Sequence, residues 1–174
     1  AEKGVCWFKI TANGTPGHGA MPHENQALPH LCLAAHKLSK EGLPFHAPKI
    51  VRRFIGEVAA RLPLLQGLAL KQVTRGALSD YVTDNLIPDK SRARNFRNMV
   101  HNLATPTKMQ AGQAVNVIPS QAELWVDGRI LPETTVAAFL DEVKTLIGPD
   151  FTIDILTAEE ALQTPHDNDF FTTL

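Results

Sequence analysis

A chain of 174 residues with 44% apolar and 20% charged side chains can bury a real core and has the composition of an ordinary globular domain. Its formal charge of −1 leaves no global electrostatic case for nucleic acid or an anionic membrane as a partner. No signal peptide or bilayer-spanning apolar run is present, and Cys6 and Cys32, each among apolar residues, read as buried free thiols of a cytoplasmic protein rather than a disulfide. A start at Ala1 without methionine and a close on Phe170-Phe171-Thr172-Thr173-Leu174 read as a piece of a longer protein.

Val5 to Ala12 predicts a strand, with Cys6, Phe8, Ile10 and Ala12 on one face and Val5, Trp7, Lys9 and Thr11 on the other. Gly14 to His23 follows, with three glycines and two prolines, a composition that suits neither helix nor strand interior. It predicts a tight loop that holds the imidazole of His18 between two glycines, open to close approach by a ligand or another chain. Asn25 can then cap a helix that runs to Glu41 and stops at Gly42. Leu28, Leu31, Cys32, Ala35 and Leu38 form its inward stripe, and His30 and His36 are surface residues.

From Lys49 to Asn102 the pattern changes. Ile50, Phe54, Val58 and Leu62 predict a short amphipathic helix broken at Pro63, an apolar run continues to Leu70, and Ser91 to His101 is helical again. Lys90, Arg92, Arg94 and Arg97 read as a solvated helix face, because no aromatic stacking pattern accompanies them. Strand grammar returns at Thr105–Ala111, where Pro106 favours an edge. Asn116-Val117-Ile118-Pro119 reads as a turn. Ala122 to Leu131 then alternates strongly, with Ala122, Leu124, Val126, Gly128 and Ile130 opposite Glu123, Trp125, Asp127 and Arg129. Thr134 can cap a helix that carries Val136, Phe139, Leu140, Val143 and Ile147 inward and ends at Gly148-Pro149. Phe151, Ile153 and Ile155 alternate in a last strand. With 49–102 set aside, the order is βαββαβ. That is an α+β, ferredoxin-like fold: a four-stranded antiparallel sheet with two helices on one face, interrupted by a helical insertion.

Chemistry is sparse. His18, His23 and Glu24 are ligand types, yet proline between the histidines breaks helical spacing and no further ligand is evident, so no metal site is assigned. Nucleophile elbow, phosphate loop and paired-cysteine motifs are missing. Arg129 can pair with Asp127 on its own strand, and Asn116 can shape the turn before Pro119.

Four motifs occur in a telling order: Glu2-Lys3-Gly4, Gly17-His18-Gly19-Ala20-Met21-Pro22-His23, Asn116-Val117-Ile118-Pro119, and Asp127-Gly128-Arg129-Ile130-Leu131-Pro132. In these the chain resembles the dimerisation, or lid, domain of the zinc-dependent peptidases and deacylases of metallopeptidase family 20. That family includes aminoacylase, acetylornithine deacetylase, succinyl-diaminopimelate desuccinylase and the glutamate carboxypeptidases. The resemblance assigns residues 1–48 and 103–160 to the lid, 49–102 to an insertion within it, and 161–174 to the return to a separate catalytic domain. It implies a homodimer that hydrolyses an amide of a peptide or N-acyl amino acid. Two zinc ions would sit in the separate catalytic domain and none in this chain, which alone would be inactive. His18 would cross the dimer to stabilise the oxyanion, a task for a preorganised N–H donor, while Asn116 and Arg129 would bind substrate. A different class of function, a free-standing ferredoxin-like module that binds a small metabolite, fits the same fold. An RNA-binding module of this topology is disfavoured by neutral charge.

Overall fold

A computed structural model describes residues 1–87 and 89–163. The first strand, β1 (Gly4–Asn13), and a later one, β5 (Gln121–Ile130), lie side by side at the centre of an antiparallel sheet, in register from Gly4↔Ile130 to Asn13↔Gln121. Strands β3 (Leu103–Ala111) and β6 (Phe151–Glu159) form the edges, giving the order β3-β5-β1-β6. Helices α1 (Ala27–Lys40) and α6 (Val136–Ile147) cover one face. This is the expected ferredoxin-like arrangement.

Alternation in the two central strands places the core. Cys6, Phe8, Ile10, Leu124, Val126 and Ile130 are buried beneath the helices, and Phe8 meets Phe139 edge to face at 5.9 Å between ring centres. Gly128 lies in this layer because a Cβ there would stand 2.5 Å from the Cys6 carbonyl oxygen and 2.7 Å from the Phe139 ring.

Several boundaries differ from the sequence reading. Asn25 does not cap α1; its amide donates to Thr15 Oγ1 at 3.1 Å and ties the glycine loop to the helix start. The buried stripe of α1 is Ala27, Leu31, Ala34 and Leu38, so Leu28 and Cys32 are exposed. The expectation of two buried thiols therefore holds for Cys6 and fails for Cys32. Thr135, not Thr134, caps α6, accepting from the Ala138 N–H at 3.2 Å. Gly42 and Gly148, at φ +74° and +104°, close the two helices as expected.

Between α1 and β3 the chain forms α2 (Lys49–Ala60), α3 (Leu64–Lys71), α4 (Gly76–Tyr81), a π turn (Val82–Leu86) and α5 (Lys90–Val100). These enclose a second small core of Val51, Ile55, Val73, Val82 and Val100. Phe45 and His101 form an antiparallel bridge where the helices leave and rejoin the sheet layer. Polar ties fasten the junction. His101 Nδ1 lies 2.8 Å from the Leu43 carbonyl oxygen, and Glu142 lies 2.7 Å from His46 Nε2 and accepts from Asn102 at 3.0 Å. The buried Asn102 accepts in turn from the Leu131 N–H at 2.8 Å. No helix among the described residues is long and apolar enough to cross a membrane. The expected return to a catalytic domain over 161–174 lies outside the described residues from 164 onward.

Candidate functional site

The glycine loop is folded by its neighbours on both sides. Gly14 donates its N–H to the Ser120 carbonyl at 2.8 Å, and Thr15 donates to the Asn25 carbonyl at 2.9 Å. A Cβ on Gly14 would collide with the Ala27 nitrogen, so only glycine lets the loop close on the start of α1. Gly17 and His18 then form a short strand, β2 (Gly17–His18), paired with β4 (Val117–Ile118) in the register Gly17↔Ile118 and His18↔Val117. Gly19 extends the ribbon by donating to the Asn116 carbonyl at 2.8 Å. The motif that reads as a turn is thus half of a two-stranded sheet, because the extended His18 segment supplies the partner a turn lacks. Buried Ile118 pins the ribbon to the body of the domain.

The ribbon sets His18 opposite Val117, one residue from Asn116. The His18 and Asn116 side chains are exposed. His18 Nδ1 accepts the Ala20 N–H at 3.2 Å, and the Met21 N–H bonds the His18 carbonyl at 2.8 Å. With Nδ1 acting as acceptor, the neutral ring carries its proton on Nε2. His23 turns back and packs over Gly17, where its Nε2 is buried without a hydrogen-bond partner. Beside the ribbon is a hollow of about 500 Å³, lined in part by Pro16, Gln110, Gln113, Val117 and Ser120. Sequence reasoning did not single out these amide side chains; their only signal is proximity to the Asn116 motif.

Arg129 does not join this group. It stands eight residues along β5 from Gln121, roughly 26 Å at the rise of an extended strand. Its Nε and Nη2 meet the two carboxylate oxygens of Asp127 at 3.0 and 3.1 Å, and Trp7 Nε1 donates to the same carboxylate at 3.0 Å. Lys3 lies diagonally across the strand pair from Arg129 and donates to the His101 carbonyl at 3.1 Å. Burial, with the nearby Arg129 charge, lowers its pKa to about 8. Among the described residues no group of three or more His, Cys, Asp or Glu side chains is placed to hold a metal ion.

The sequence and the fold have counterparts in known proteins. Residues 1–152 match the family model of the peptidase dimerisation domain. The chain is 24% identical over 159 residues to the N-fatty-acyl-amino acid synthase/hydrolase PM20D1 of Bos taurus, covering 86% of this chain and 29% of the relative. It therefore spans less than a third of the length of the curated relatives it matches. Among solved structures it resembles the M20 family metallo-carboxypeptidase Sso-CP2 of Sulfolobus solfataricus, with a TM-score of 0.58, 11% identity and coverage of 98% of this chain and 41% of that one. It also resembles the aminobenzoyl-glutamate utilization protein of Klebsiella pneumoniae, with a TM-score of 0.52, 16% identity and coverage of 94% and 30%. At such identities the solved structures speak for the fold, while the family match spans both the His18 and the Arg129 motifs. The chain belongs to the peptidase dimerisation domain family of the M20 hydrolases.

Proposed function

We propose that this chain is the lid through which a metal-dependent amide hydrolase dimerises, and that His18 serves the active site of the partner subunit. The substrate is a peptide or an N-acyl amino acid, and the metal chemistry belongs to a catalytic domain outside this chain. The observation that carries the reading is the position of His18. It is clamped at one end of the sheet, while Glu2 and Leu162 bridge each other at the opposite end, where a domain continuous with either would attach. A lid of this length offers its own catalytic domain the Arg129 end and a neighbouring protomer the His18 end. Each active site would then be composite, with His18 and Asn116 from one subunit and Arg129 from the other. Strand pairing at the β3 or β6 edge or packing between helices would join the two lids.

In that site the Nε2–H of His18 donates to the carbonyl oxygen as negative charge develops on it. Because Nδ1 is already bonded to the Ala20 N–H, the donor is oriented before the substrate arrives, which is what makes such a bond effective in the transition state. Asn116 orients the substrate from the same ribbon, and Arg129 receives its carboxylate once released from Asp127. Bound metal would supply the activated water and polarise the scissile carbonyl.

Hybrid dimers of the full-length protein test this. His18→Ala should lower kcat by roughly 10²–10³-fold with a smaller change in KM. Mixing that subunit with one whose metal ligands are destroyed should restore activity. Placing Arg129→Ala in the metal-bearing subunit should impair the hybrid, whereas the same change in the metal-free subunit should not. Exchanged dimers that stay inactive, or an unchanged kcat for His18→Ala, would refute the reading.

A further inference from the structure

The chain's net charge of −1 conceals a division. Residues 49–102 carry ten Lys and Arg side chains against four Asp and Glu, a charge of +6, which leaves −7 on the rest. Within this basic segment lies the largest group of exposed leucines. Leu64, Leu65 and Leu68 of α3 are 77%, 81% and 50% exposed, and Leu62 just ahead of the helix is 38% exposed. The cause is the seating of α3. Gly67 is pressed so closely onto the Ala59 carbonyl of α2 that a Cβ would collide there, so the contact face of α3 is fixed through its glycine. One hundred degrees per residue then turns Leu65 and Leu68 away from the second core, while Leu64 is exposed as the first residue of the helix. Phe54 and Tyr81, 48% and 60% exposed, add to the apolar surface of the same segment.

Basic side chains bracket the leucines. Arg61, whose guanidinium also bonds Glu57 at 3.2 Å, precedes α3, Lys71 ends it and Arg75 follows it; all three are exposed, and the helix between them is about 12 Å long. An apolar face in a cationic surround is the pattern of a helix that lies in the boundary between lipid headgroups and acyl chains. A water-exposed role leaves three leucines unexplained, and an anionic nucleic acid would find no stacking aromatics beside them. We propose that the α3 face of the insertion docks on an anionic bilayer surface, with Leu64, Leu65 and Leu68 entering the headgroup layer while Arg61, Lys71 and Arg75 face lipid phosphates. The occupant is set by charge complementarity: the segment is positive and its apolar face narrow, which suits shallow, reversible attachment rather than insertion across the membrane.

The test is co-sedimentation of the full-length protein with vesicles of phosphatidylcholine alone or with 30% phosphatidylserine, at two salt concentrations. Binding should require the anionic lipid and weaken with salt. The double variant Leu65→Ser/Leu68→Ser should reduce partitioning at least about tenfold while dimerisation and turnover of a short water-soluble substrate stay unchanged. A second variant, Arg61→Gln/Lys71→Gln, leaves the leucines intact and should lower binding to anionic vesicles alone. Absence of binding to anionic vesicles, or binding that survives both variants, overturns the proposal. Loss of dimers or of catalytic turnover in the leucine variant also overturns it, because the face would then be covered by another part of the protein. None of these results depends on the role of His18.

Discussion

Gly128→Ala probes a tight point at the centre of the core. The residue lies near the C-terminal end of β5, opposite Cys6, with α6 above it. An added methyl would stand 2.5 Å from the Cys6 carbonyl oxygen and 2.7 and 2.8 Å from the edge of the Phe139 ring. Two different things must therefore move: a backbone group of the neighbouring central strand, and a fully buried ring held against Phe8. Strain from one extra methylene in a packed core costs about 1–3 kcal/mol, and the involvement of backbone places this change at the upper end, near 3 kcal/mol. For a chain of this size that is a fall of roughly 6–12 °C in Tm. Urea titration of the native, Gly128→Ala, Phe139→Leu and double-variant chains separates the two contacts. If the ring carries most of the strain, the double variant recovers at least about 1 kcal/mol relative to additivity; if the Cys6 carbonyl does, recovery is absent. A loss below about 1 kcal/mol for Gly128→Ala alone would refute the packing argument.

Two further changes test the junction and the sheet end. Asn102→Ala leaves the buried Leu131 N–H without its acceptor and removes one of the two partners of Glu142, so stability should fall by about 2–3 kcal/mol in urea; a change within about 0.5 kcal/mol would show that water replaces the side chain. Lys3 has its pKa lowered to about 8 in the folded chain from an ordinary 10.5, so the unfolded chain holds more protons between those values and stability should rise with pH across that window. The full shift would correspond to about 3 kcal/mol, and partial solvent exposure brings this to roughly 1–2 kcal/mol. Lys3→Met should flatten the rise in the difference between the two chains' pH-stability curves, and parallel curves would refute it.

The sheet was legible because its two central strands bury one face each. Cys6-Phe8-Ile10-Ala12 and Ala122-Leu124-Val126 fix which face of each strand is buried and so exclude a one-residue slip. Helix faces were less so. In α1 the large residues Leu28 and Cys32 invited an inward reading, yet Ala27 and Ala34 face the core; in α2, Ile50, Phe54 and Val58 lost to Val51, Ile55 and Ala59. Where apolar residues come in adjacent pairs, period alone fixes a stripe only to within one residue, and the small members win where a helix must approach its partner closely. The exposed Cys32 and Phe54 follow from that same displacement. At the site, His18 and Asn116 were each visible by local composition. The pairing of their segments was not, since no local signal announces a two-residue strand whose partner is so distant in sequence.

That ribbon also dictates a folding order. Its two halves are separated by about a hundred residues, and each presents only two residues to the ladder, far too few to pair before the frame around them exists. Gly14 reaches its place only when Ser120 and the start of α1 are already in theirs. The entropy of closing so long a loop is recovered first through β1 and β5, and the ribbon forms on top of that gain. During synthesis the His18 segment emerges before β5 and has no structure to join until β5 has followed it. A nascent or truncated chain would then hold a loose imidazole, and the oriented donor would arise only in a lid that has finished folding.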